Sequence, residues 1–248
     1  MKRISLLLIS VFWFASAEAQ SIKDTAGFFS IFDGKSLTKW EGDATYWRVD
    51  NGCLVGEVTP ETLLKRNSFI IWTGGTVADF ELKLEFKVSS KGNSGINYRS
   101  ERIDSIPYAL KGYQADLDGR NKYTGQNYDE RKRTILAFRG QKVRVKTQPK
   151  GLLLADNVAH NIWQSVEVTD TIGDKAVLGA HVKPNDWNTY HIIAKGNRLR
   201  HYVNGVLMSE VIDEDNENRS VEGLLGVQVH VGPPMKIAYR NIMLKHLP

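Results

Sequence analysis

The chain has 248 residues, of which 42% are hydrophobic and 25% charged, with a formal net charge of +5. That apolar content is enough for a packed core and excludes an intrinsically disordered chain. Cys53 is the single cysteine, so an internal disulfide framework is excluded as well.

Lys2 and Arg3 precede an apolar run from Ile4 to Ala15, and Ala17-Glu18-Ala19 places small residues at alternate positions. This pattern predicts a secretory signal peptide over residues 1–19, cut after Ala19, with 20–248 forming one domain. The run is shorter than the roughly 20 residues of a spanning helix. No cysteine follows it where a lipid could be attached, so a periplasmic or secreted protein without a stable membrane anchor is expected.

Beyond residue 46, short alternating runs recur between turn residues, and no long stretch holds a helical period. Strands are predicted at 47–49, 52–58, 69–72, 80–88, 94–99, 112–117, 143–145, 165–169, 177–181, 187–195, 198–203, 206–211, 226–230 and 236–245. Asn204-Gly205 supplies the positive backbone angles of a two-residue hairpin turn. With neither repeat nor linker, the pattern is that of an all-β, two-sheet antiparallel sandwich.

Three of these strands alternate between an apolar face and an unusual polar one. In GYQADLDG, Gln114, Asp116 and Asp118 share a face opposite Tyr113, Ala115 and Leu117; in NSGINYRS, Asn97 pairs with Arg99; in GVQVH, Gln228 pairs with His230. Such alternation is ordinary for an antiparallel sheet with one wet face. The residue types point further, because amides, carboxylates, Arg and His recognise sugars and move protons, whereas solvated faces favour Lys, Glu, Thr and Ser.

The segment 131–150 holds eight Lys or Arg and no acid. A solvated basic strand face is the expectation there, and nucleic acid is not an expected partner. Trp40, Trp47, Trp72 and Trp187 are expected mainly in the core, whereas Trp163, in the polar stretch HNIWQ, is the better candidate for a platform stacking on a sugar ring. His160, His181, His191 and His201 are expected to be structural or surface residues.

The segments FFSIFDGKSLTKW, WRVDNGCL, DFELKLEFKVSSKGNSGINYRS, GYQADLDG and GLLGVQVHVGPPMKIAYRNIMLK, in that order, resemble the 3-keto-disaccharide hydrolase domain family over residues 27–247. The resemblance implies a concanavalin-like jelly roll with a ligand site on one sheet, and an exported hydrolase or lyase acting on 3-keto-glycosides. A ketone at sugar carbon 3 acidifies the hydrogen on carbon 2; a base removes it, the aglycone leaves carbon 1, and water adds back. The partners implied are a small-molecule or oligosaccharide glycoside and an upstream sugar 3-dehydrogenase that makes the ketone.

Three roles follow from that chemistry. Asp116 or His230 is the expected base, and Arg99 the expected clamp on the enolate. Asn97, Gln114 and Gln228 would orient hydroxyls, with Asp118 beside them and Tyr123, Tyr128 and Arg133 closing over the site as a loop. Asp116, Asp118 and His230 are also oxygen and nitrogen donors that could share a divalent cation, although no compact ligand spacing supports one. The chain departs from a common family pattern, in which this strand carries a glutamate and then a glutamine; here Gln114 and Asp116 stand at those positions.

Two other readings use the same fold. A non-catalytic, lectin-like carbohydrate-binding module would need no base. A retaining glycosidase would need two carboxyl groups about 5 Å apart, and the amide at Gln114 disfavours it.

Overall fold

The computed structural model describes residues 26–149, 151, 159, 161 and 165–248. The predicted signal segment and Trp163 lie outside the described residues. Two sheets form a sandwich. The seven-stranded sheet runs β10 (Thr134–Ala137), β9 (Asn127–Glu130), β8 (Leu110–Asp118), β7 (Asn93–Arg102), β16 (Gly223–Val229), β5 (Ser68–Val77) and β2 (Trp40–Glu41). The ten-stranded sheet runs β12 (Val166–Thr171), β11 (Gln141–Val145), β15 (Val206–Asp213), β14 (Arg198–Val203), β13 (Asn188–Lys195), β6 (Phe80–Val88), β17 (Met235–His246), β4 (Cys53–Val58) and β3 (Trp47–Asp50), with β1 (Phe29–Ser30) beside β17. Pairing is antiparallel except between β11 and β15. The architecture is the all-β jelly roll expected from the alternation.

The core lies between the sheets. From β6 it receives Phe80, Leu82, Leu84, Phe86 and Val88, while Glu81, Lys83, Glu85 and Lys87 point away. From β8 it receives Tyr113, Ala115 and Leu117, and Tyr98 of β7 stacks on Tyr113 at 5.5 Å between centroids. Each Val, Leu or Phe among them contributes about 1.5–3 kcal/mol by leaving water. Trp40, Trp47 and Trp72 are buried with them, whereas half-buried Trp187 packs under the Arg240 guanidinium, 3.9 Å from its ring centroid. The turn between β14 and β15 is left-handed at both Asn204 and Gly205, at φ 49° and 80°, as the hairpin requires.

Two local expectations are corrected. Residues 177–181 are not a strand: α1 (Lys175–Gly179) occupies this stretch, because the Asp174 carboxylate accepts from the amides of Ala176 and Val177 and starts a helix. The basic segment is not a free cationic face either. Arg133 and Arg139 are buried, and Lys142, Arg144 and Lys146 pair with Asp170, Glu214 and Glu167 at 2.9, 3.1 and 2.6 Å.

Candidate active site

The face of the seven-stranded sheet that points away from the core carries a pocket of about 450 Å³. Asn93, Gln114, Asp116 and His230 line it from β7, β8 and the end of β16; Tyr128 and Glu130 line it from β9. Asn67, Tyr123, Gln126, Arg131 and Asn161 line it from the connecting segments, and Thr134 and Ile135 line it from β10.

Asp116 sits at the centre of this arrangement and is only 7% exposed. Its carboxylate accepts one hydrogen bond from the Gln114 side-chain amide at 2.7 Å and another from the Gln126 amide at 2.5 Å. Burial pushes its pKa up to about 7, against the pull of those two amides, and the charge of nearby Glu130 adds to the rise. Gln114 is held in turn by Gln228, whose amide donates to its Oε1 at 3.1 Å. A row of three side chains, one each from β16, β8 and β8 again, therefore ends on the carboxylate.

Gly95, in the GNSGI stretch of β7, has its reason here. A Cβ at this position would lie 2.3 Å from the Gln114 side-chain carbon Cδ, so only glycine lets the amide lie across β7 toward Asp116.

His230 is half-buried, and its Nδ1 lies in hydrogen-bonding contact with the Val231 carbonyl. A carbonyl only accepts, so Nδ1 carries the hydrogen and Nε2 keeps its lone pair. Burial also lowers the imidazole's pKa, with the Val231 contact working against it. Asn67 ties the same turn to the opposite wall: its Oδ1 accepts from the Val231 amide at 2.9 Å and its Nδ2 donates to Glu130 Oε1 at 3.3 Å.

Glu130, also 7% exposed, is a pocket residue that the sequence reading misses, as are Asn67, Asn93, Gln126, Arg131 and Thr134. Burial raises its pKa, while the Asn67 amide and Arg131 oppose the rise. The signal is present in NYDER, where Tyr128 and Glu130 fall two apart on a strand. Instead of the closing loop expected there, β9 forms, and it sets both side chains against the pocket.

Five expected site residues are placed elsewhere. Arg99 turns to the opposite side of its sheet, where it donates to the carbonyls of Ala78 and Gly196, both at 2.7 Å, and pairs with Asp79 at 3.0 Å. A bulge in β7 between Tyr98 and Glu101, with Arg99 left-handed at φ 45°, breaks the alternation that put Arg99 beside Asn97. Gly112 faces this bulge at φ 138°, where a Cβ would come within 2.7 Å of Ser100 Oγ. Asn97 is fully buried outside the pocket lining, with its amide 3.4 Å from Ser100 Oγ. Gln228 likewise supports Gln114 from beneath and does not line the cavity.

Asp118 is taken up by its own loop. It accepts from the backbone amides of Lys122, Tyr123 and Thr124 at 2.9, 2.7 and 2.9 Å and from Thr124 Oγ1 at 3.1 Å. This fixes the turn that delivers Tyr123 and Gln126 to the pocket. It also removes Asp118 from any cation site, and no cluster of three or more His, Cys, Asp or Glu suited to a metal occurs among the described residues. Asp116, Asp118 and His230 therefore do not fit a shared divalent cation. Replacing Asp118 with Ala should cost about 2–4 kcal/mol, since several backbone amides lose their partner. Faster proteolysis within residues 119–125 and a raised KM would report the loosened loop.

Arg133 is fully buried and forms no part of the cavity. Its guanidinium pairs with Asp129 at 2.6 Å, Asp213 at 2.7 Å and Asp215 at 3.2 Å, joining β9 to the end of β15. Behind the site, His201 is also fully buried, with a pKa lowered to about 3 by that burial. Its Nδ1 lies 3.2 Å from the Gln126 carbonyl and its Nε2 2.9 Å from the Tyr98 hydroxyl, so it braces the residue whose amide holds Asp116.

The structure resembles a candidate glycosyl hydrolase from Parabacteroides distasonis, with a TM-score of 0.55 at 20% identity, covering 90% of this chain and 95% of that one. It also resembles the carbohydrate-binding module CBM66 from Bacillus subtilis, with a TM-score of 0.50 at 13% identity over 84% and 95% of the two chains. At these identities the likeness shows the fold alone. In sequence, 100 residues are 32% identical to a 3-keto-disaccharide hydrolase from Bacteroides thetaiotaomicron, a match that takes in 36% of this chain and about a third, 34%, of that relative's length. The family described as "3-keto-alpha-glucoside-1,2-lyase-like domain" matches residues 27–245. With nearly the whole described sandwich inside that match, the chain belongs to this family.

Proposed function

We propose that the protein is an exported enzyme that cleaves 3-keto-glycosides by elimination and hydration, with Asp116 as the base. The observation that carries this reading is a buried carboxylate whose pKa is near 7, oriented by two amides at the floor of a pocket. A base of that strength is matched to taking a weakly acidic carbon-bound proton at neutral pH.

In this reading Asp116 removes the proton from carbon 2, and the electrons of that bond form the enolate of the carbon-3 ketone. Collapse of the enolate forms the double bond between carbons 1 and 2 and breaks the bond from carbon 1 to the aglycone oxygen. That oxygen receives the proton now held by Asp116. Water then adds across the double bond, its hydroxyl to carbon 1 and its proton to carbon 2, with the free Nε2 of His230 placed to accept and pass on that proton. Gln114, Asn93, Tyr123 and Tyr128 offer donors and acceptors for the sugar hydroxyls. An upstream sugar dehydrogenase would supply the ketone.

The test is to incubate the purified protein with a 3-keto-glucoside and with its unoxidised parent while following aglycone release. Release from the keto compound alone is expected. Release from the parent at a comparable rate would replace elimination by ordinary glycoside hydrolysis, and binding without release from either would make the pocket a lectin-like site.

A further inference from the structure

Removing a proton beside a ketone places negative charge on the carbonyl oxygen, and that charge has to be met by a fixed donor. Arg99, the expected donor, is bound to Asp79, Ala78 and Gly196 on the other side of its sheet. Among the described residues that line the pocket, Arg131 is the one that carries a guanidinium or ammonium group.

Its position is built. Arg131 is the first residue of the turn from β9 to β10 and is left-handed, at φ 55°, a conformation seldom adopted by a residue with a side chain. Such a conformation persists where its surroundings enforce it, and it concentrates at functional sites. The turn is enforced from both ends: the Lys132 amide donates to the Asp129 carbonyl at 3.2 Å, and Arg133 is locked into its three aspartates. Arg131 Nε stands 3.7 Å from Glu130 Oε1, the same oxygen that accepts from Asn67. Glu130 is thus a buried anchor fixed by Asn67, and it turns the more exposed guanidinium back toward the cavity.

We propose that Arg131 is the catalytic residue that stabilises the enolate, and that Glu130 is a positioning residue that aims its guanidinium at the carbon-3 oxygen. This rests on the elimination reading above. In the step concerned, the proton passes from carbon 2 to Asp116, the electron pair moves onto the carbon-3 oxygen, and the N–H groups of Arg131 hold that oxygen until the aglycone leaves; no oxidant or reductant enters.

The experiment uses the full chain in D2O with methyl 3-keto-glucoside, reading exchange of the carbon-2 hydrogen by NMR, and a nitrophenyl 3-keto-glucoside, reading cleavage. Arg131→Gln should lower both the exchange rate and kcat by about 10²–10³-fold, the loss typical of removing one oxyanion donor, while KM changes little. Arg131→Lys should fall between the two, because lysine keeps the charge but loses the planar fork. Added guanidinium should restore part of the Arg131→Gln rate, and Glu130→Gln should lower kcat in the same direction with a smaller loss. A wild-type protein that exchanges and cleaves alongside an Arg131→Gln variant with unchanged kcat, or with only a raised KM, overturns this inference alone. A wild-type protein that does neither overturns the elimination reading and this assignment with it.

Discussion

Asp116→Asn should lower turnover by about 10²–10⁴-fold, the usual contribution of a positioned acid or base, and should make the protein more stable at pH 8. The activity loss follows from removing the one group whose two oxygens are both held at the pocket floor. The stability gain follows from linkage. The Asp116 pKa rises from 3.8 to about 7 on folding, so the folded state favours the protonated acid. Ionising it in place opposes folding: the cost is absent below pH 3.8, grows between 3.8 and about 7, and is complete above that. The gap corresponds to about 4 kcal/mol as an upper figure. Asparagine carries no charge at any pH, so its advantage should be large at pH 8 and small at pH 4. The substituted amide can keep both partners if the Gln126 amide turns to offer its oxygen, which that side chain can do as both donor and acceptor. Denaturant midpoints of the two proteins at pH 4, 6 and 8 test this, and equal midpoints at all three would show that Asp116 is not a strained anion. The wild-type rate should rise with pH through a midpoint near 7, because only the ionised carboxylate can take the proton.

What the sequence disclosed depended on whether a side chain's partner was local. The alternation of β6 and β8 comes from a period-two contact with the core, and the Asn204-Gly205 turn needs only its own backbone angles, so both were legible. The helix at 175–179 was not, because five residues of mixed propensity were decided by one capping carboxylate, Asp174. Strands β9 and β10 were missed for a longer-range reason: Arg133, in the turn between them, is buried only because it meets Asp129 of β9 and aspartates 80 and 82 positions further along the chain. The candidate site divides in the same way. Gln114, Asp116 and His230 lie on unbroken alternation next to the pocket. Arg99 lies inside a bulge that one glycine on the neighbouring strand permits, and the inserted residue breaks the alternation there. Asp118 keeps the right strand parity, but backbone amides of the next loop reach its oxygens first.

Arg133→Met should destabilise the fold by about 3–5 kcal/mol, as expected when one partner of a buried ion cluster is removed and the others stay charged. One guanidinium here faces three carboxylates, all at most 1% exposed. Burial alone would lower the pKa of Arg133; Asp129 and Asp213 reverse that and hold it above its ordinary value. Asp213 also accepts from the Tyr113 hydroxyl and from the Asp215 amide, so its position is shared by β8 and the segment after β15. Methionine matches much of the arginine stem but leaves the aspartates without a counter-charge. They can escape only by taking up protons, which is easier at low pH, so the deficit should be larger at pH 8 than at pH 5. Arg133→Lys should recover only part of the loss, since an ammonium cannot span Asp129, Asp213 and Asp215 at once. Adding Asp129→Asn to Arg133→Met should restore more stability than Asp129→Asn alone provides, and the excess in a double-mutant cycle measures the coupling between them. Asp129 precedes Glu130 on β9, so the same variant should also loosen Glu130 and Arg131 and lower kcat under conditions where the chain is still folded. An Arg133→Met protein with wild-type urea midpoint and wild-type kcat would show that the cluster neither holds the strand nor serves the pocket.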